Sequence, residues 1–71
     1  MANKNDMKRY LANWDDELNG AMLYDAMAEK EKDSRIAGIY AKLAETERNH
    51  AKTWEDNIRT AGGEIPKFRA S

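Results

Sequence analysis

Three side chains of this chain are spaced so that they can share one cation: Glu17, Glu47 and His50. The run Glu47-Arg48-Asn49-His50 reads Glu-x-x-His and carries the only histidine of the 71 residues. On a helix, residues three apart lie on one face, so a carboxylate and an imidazole in this pattern reach a common point. Carboxylate oxygen with imidazole nitrogen suits iron or manganese, and zinc accepts the same donors. The positions that share the face of Glu47 are Tyr40, Leu43, Ala44, Ala51 and Trp54, all apolar or aromatic. Glu47 therefore stands in a stripe expected to be core. An ionised carboxylate in such a stripe is costly unless a basic partner, a proton or a metal compensates it.

Two long helices have to position these groups. From Asp6 to about Lys32 no proline interrupts, and apolar residues recur at helical spacing through Met7, Tyr10, Leu11, Trp14, Leu18, Ala21, Met22, Tyr24 and Ala28. Asn3 or Asn5 can cap this helix, with Asp6 favourable at its positive end. Gly20 costs the helix about 1 kcal/mol relative to alanine, which points to local tolerance or to a close approach of another helix at that level. Lys32-Asp33-Ser34 marks a boundary, with Asp33 or Ser34 as the next cap. A second helix is expected from about Arg35 to Ala61, with Ile36, Ile39, Tyr40, Leu43, Ala44, Glu47, His50, Ala51, Trp54 and Ile58 on one side. Gly62-Gly63 supplies a left-handed stop, and Pro66 prevents resumption. The expected organisation is a disordered 1–5, a helical hairpin over 6–61 and a linker or tail over 62–71.

Glu17 sits in the first helix as Glu47 does in the second, with Tyr10, Trp14, Ala21 and Tyr24 on its face. In an antiparallel hairpin turning near residue 33, Glu17 lies 16 residues from the turn, and Glu47 and His50 lie 14 and 17 residues from it. At about 1.5 Å per residue, all three are level within a few ångström. That level is also near the midpoint of both helices, so a two-fold axis there superposes two half-sites. Two helices cannot bury their own apolar faces, and two hairpins are expected to pair into a four-helix bundle. The fold class is thus all-α: a two-helix antiparallel hairpin that dimerises. The dimer then presents four Glu and two His, the carboxylate di-metal pattern of such bundles.

Composition agrees with a small protein that needs help to fold. A chain this short is marginal without disulfides, metals or self-association. There is no cysteine, which excludes disulfides and thiolate metal sites. With 35% charged residues and a net charge of −1, no strong field of either sign recommends nucleic acid or an anionic membrane. No apolar run is long enough to span a bilayer, and no signal-peptide pattern is present. The expected setting is cytoplasmic, the cytosolic face of a membrane protein included.

The segments Asp16-Glu17-Leu18-Asn19-Gly20-Ala21 and Leu43-Ala44-Glu45-Thr46-Glu47-Arg48-Asn49-His50-Ala51 carry a family resemblance. From Arg9 to Pro66 the chain resembles half of a rubrerythrin-type ferritin-like domain. It is most similar to the ferritin-like domain that precedes the membrane part of vacuolar iron transporter family proteins. In outline it is also similar to the encapsulated ferritins, two-helix chains that build a di-iron site at a dimer interface. The resemblance implies that Glu47 bridges two irons while Glu17 and His50 bind terminally, with manganese or zinc as substitutes. It further implies oxidation of Fe(II) to Fe(III) for storage or detoxification. The alternative it carries is a non-catalytic domain that senses iron or delivers it to a fused or associated membrane transporter. A homodimer, with higher assembly allowed, is the implied partner state. The chain departs from rubrerythrin in having two helices rather than four and no rubredoxin domain.

Tyr24 joins the candidate catalytic set through the same resemblance, as a residue that hydrogen-bonds a ligand carboxylate or donates an electron; packing as an aromatic is its other reading. Asp25 and Glu55 each lie eight residues after a proposed ligand and are candidates for a secondary iron site or for a solvated face. Trp14 and Trp54 are read as core, and the methionines as gap fillers.

Overall fold

A computed structural model of the chain describes residues 3–71. Two α-helices of equal length pack against each other: α1, Lys4–Lys30, and α2, Ser34–Thr60. Contacts that rise along α1 fall along α2, since Tyr10 meets Trp54, Glu17 meets His50, and Tyr24 meets Tyr40. The helices are therefore antiparallel. The body measures 47 × 19 × 16 Å. No helix among the described residues is long and apolar enough to cross a membrane.

Local chemistry sets the helix ends. At the start of α1, Asn3 and Asp6 form a reciprocal capping box, in which the Asp6 N–H donates to Asn3 Oδ1 at 2.9 Å and the Asn3 N–H donates to Asp6 Oδ2 at 3.3 Å. This box starts the helix two residues earlier than the hydrophobic spacing indicates. Of the N-terminal stretch expected to be disordered, Met1 and Ala2 lie outside the described residues, Asn3 is the cap, and Lys4 and Asn5 form the first turn. Asp33 caps α2, accepting from the N–H groups of Arg35 and Ile36 at 2.9 and 3.4 Å. At the other end of α2, Gly62 takes φ +85°, and two bonds close the turn: Gly62 N–H to Arg59 C=O and Gly63 N–H to Ile58 C=O, both 2.9 Å. This paired arrangement satisfies the last carbonyls of the helix, and its left-handed residue favours glycine.

The core is small. Trp14, Ala21, Ala44, Ala51 and Ile58 are buried, and three of these five are alanines. Met7, Tyr10, Leu11, Leu18 and Trp54 pack around Trp14, Ala51 and Ile58. Residues 63–71 form no helix or strand, yet they fold back along α1. Ile65 and Phe68 pack on the core, and the Phe68 ring meets Trp14 edge-on with centroids 6.0 Å apart. At the end of the tail the Ser71 N–H donates to Asn19 Oδ1 at 2.9 Å. Apolar cover from the tail thus supplements what two helices supply. Phe68→Ala is expected to lower stability by about 1 to 1.5 kcal/mol, roughly half the value for a fully buried phenylalanine. The loss is read as a lower thermal midpoint, together with a red shift of Trp14 emission in a Trp54→Phe background.

The two long edges of the hairpin differ. One is closed: the tail covers it, the Trp14 indole N–H donates to Glu55 Oε2 at 2.9 Å, and Arg48 pairs with Asp25 at 2.8 Å across the helices. The other is open. It carries Ile36, Ile39 and Leu43, which remain 38%, 57% and 38% exposed.

Candidate metal centre

The open edge also holds the three residues singled out by spacing. Glu17 comes from the middle of α1, and Glu47 and His50 come from consecutive turns of α2. One donor atom from each lies within 4.8 Å of the other two, close enough for a single cation. His50 Nδ1 stands 3.4 Å from Glu17 Oε2. The Glu17 side chain is 23% exposed and that of His50 57%, so the cluster is rooted against the helices and opens outward. A groove of about 260 Å³ lined by Glu17, His50, Thr53 and Trp54 leads to it.

The charge balance of the cluster is unusual. Glu17 and Glu47 approach closely enough to share a proton, and this hydrogen bond is the main reason that the Glu47 carboxyl is held above the usual glutamate range. Partial burial and the negative charge of Glu17 push the same way, and His50 opposes them. Among the described residues no lysine or arginine pairs with either carboxylate, because Arg48 is taken by Asp25 and Arg59 by Glu55 and Asp56. A proton or a cation is what remains to hold the two carboxylates together. The donor set of two carboxylates and one imidazole fits iron, manganese or zinc.

The shared proton makes stability depend on pH. The folded chain binds it more tightly than the unfolded chain, where Glu47 returns to the ordinary range. Its stabilising contribution is full below that range and is lost as pH rises through the raised value of Glu47. In a thermal melt series of the metal-free protein, wild type is expected to lose midpoint relative to Glu47→Gln across this window. Parallel curves would show that no such proton is held.

The remaining candidates are placed as follows. Tyr24 stacks on Tyr40, with centroids 6.4 Å apart and an interplanar angle of 20°. Among the described residues its hydroxyl makes no hydrogen bond to the cluster. Asp25 is engaged by Arg48, and Glu55 by Trp14 and Arg59, so both spend their charge on the closed edge. The structure shows what approaches Gly20: the Glu47 carboxylate lies beside it. The helix-breaking cost of a mid-helix glycine was the signal in the sequence. Compared with known protein families, with curated proteins and with solved structures, the chain matches none.

Proposed function

We propose that the chain is an iron-binding, ferritin-like domain whose hairpins pair along the open edge into a four-helix bundle. In it, a di-iron site would be built from Glu17, Glu47 and His50 of both copies. The observation that carries this reading is the convergence of three donor atoms within 4.8 Å on the same edge that leaves Ile36, Ile39 and Leu43 uncovered. The tail and its polar contacts occupy the other edge as far as Asn19, while Met22 and Leu23 of α1 stay exposed. The ligand-bearing edge, with three exposed aliphatic side chains beside the donors, is the one that meets a second copy in this reading. Pairing there buries the exposed aliphatic residues and doubles the donor set to the four-Glu, two-His pattern of carboxylate di-metal bundles. The resemblance of Asp16–Ala21 and Leu43–Ala51 to rubrerythrin-type domains supports the same reading.

Iron bound there supplies one-electron redox chemistry, and in the proposed reaction Fe(II) is itself the substrate. Two Fe(II) and one hydrogen peroxide, with two protons, yield two Fe(III) and two waters; dioxygen serves as the oxidant in the same way, leaving as hydrogen peroxide. The residues of the chain bind and orient the ions. Glu17 and Glu47 give up the proton they share and supply the negative charge that favours Fe(III). His50 contributes a neutral nitrogen donor. Because binding requires these groups deprotonated, iron affinity falls in acid.

The test is to load purified protein with Fe(II) without air, then admit air or peroxide and follow ferric absorbance in the near ultraviolet. Oxidation much faster than that of free Fe(II) in the same buffer supports the ferroxidase reading. Tight binding without acceleration would instead make the domain a sensing or delivery module, such as one associated with a membrane iron transporter. No binding would end both.

A further inference from the structure

We propose that Gly20 is a positioning residue for Glu47: its missing side chain leaves a slot on α1 in which the Glu47 carboxylate lies and turns. The proposal rests on the metal-site reading above. Gly20 is in the middle of a helix and has no positive φ, so its backbone freedom goes unused there. A β-carbon built on Gly20 would stand 3.5 Å from Glu47 Cδ and 3.6 Å from both Cγ and Oε2. Gly38, also within a helix, has nothing within 4 Å of the same position. The space beside Gly20 is therefore used, and what uses it is the acidic end of a proposed ligand.

The consequence follows from what Glu47 has to do. The carboxylate lies beside Gly20, and to hold a cation together with Glu17 and His50 its oxygens have to be free to turn toward them. That movement needs rotation about the last side-chain bond and room beside Oε2. A methyl group at ordinary contact distance would fit without clash, yet it would press one flank of the carboxylate and strip water from it. Alanine at residue 20 is thus expected to help the helix and to hinder the site. A branched side chain would have to push Glu47 aside.

The experiment compares wild type, Gly20→Ala and Gly20→Val. Thermal midpoints are measured on the metal-free proteins, and Co(II) binding is followed by the visible absorption bands that report coordination geometry. Gly20→Ala is expected to raise the midpoint by about 4 °C or more for a domain of this size. Its Co(II) affinity should fall by about tenfold, with altered bands, and that of Gly20→Val by about 100-fold, the range measured for residues that orient metal ligands. A rise in midpoint with wild-type affinity and wild-type bands would overturn the positioning role while leaving the metal site standing. A fall in midpoint for Gly20→Ala would mean that the gap is packing space, which overturns it too. Wild type that binds neither Co(II) nor Fe(II) would remove the metal-site reading, and this proposal with it.

Discussion

Glu47→Leu is expected to abolish metal binding and, in the same protein, to raise the thermal midpoint of the metal-free form. The two effects have one origin. Among the described residues Glu47 is held next to Glu17 with no lysine or arginine partner, so the metal-free fold keeps two carboxyl groups together at the cost of retaining a proton. An apolar side chain of similar size removes that cost and adds to the apolar stripe of α2, since exchanging buried ionic groups for packed hydrophobic ones is often neutral or stabilising. It also removes one of the three converging donors. Loss of a direct ligand should exceed the 10- to 100-fold effect of disturbing a residue behind one, so metal affinity is expected to fall by more than about 100-fold. Opposite signs separate this outcome from simple damage to the fold, which would lower both. Calorimetric titration and thermal melts of the same preparation read them together.

The second large effect concerns residues that touch no metal. Ile39 and Leu43 are exposed on the open edge, two turns and one turn before Glu47 respectively. Ile39→Glu combined with Leu43→Glu should leave the fold of the single hairpin intact, because neither residue is part of its buried core. In a two-fold dimer each new charge would be buried near its own copy. Interface substitutions of this kind cost about 2 kcal/mol or more at a hot spot, and two of them weaken pairing by at least roughly 1000-fold. Metal affinity is expected to drop with the dimer even though Glu17, Glu47 and His50 are untouched, since in the proposed dimer half of the ligands would come from the second copy. Light scattering and metal titration of the double variant check both. A monomer that binds metal as well as wild type would show that one hairpin suffices.

Much of the hairpin was legible because helices announce themselves locally. The proline-free apolar repeat, Asp33 before α2 and the Gly62-Gly63 stop each act through near neighbours in the chain, and α1 and α2 fall within about two residues of those signals. The cluster was legible for a related reason. Once two helices are antiparallel, equal distance from the turn brings Glu17 level with Glu47 and His50, whatever else packs around them. Contacts chosen among several equivalent candidates were not legible. The Trp14 indole needs an acceptor, but nothing in the spacing prefers Glu55 to other carboxylates at that height, and only the rotation of α2 about its axis decides. The pairing of Asp25 with Arg48 is of the same kind. Tyr24 lies on the same stripe as Glu17, two turns on, yet it faces Tyr40, because a ring that long reaches across the helix gap. The return of the tail onto Trp14 had only Ile65 and Phe68 as a signal, and two apolar residues in a short polar stretch do not specify where they dock.

This edge of the hairpin is proposed to close on a second copy around iron. Sedimentation equilibrium of an Fe(II)-loaded sample, with iron and protein assayed in that same sample, tests it most directly. Particles with the mass of two chains and one iron per chain are expected, with a weaker association when the metal is withheld. A hairpin that stays monomeric at full iron loading, or a dimer that takes up no iron, would contradict it.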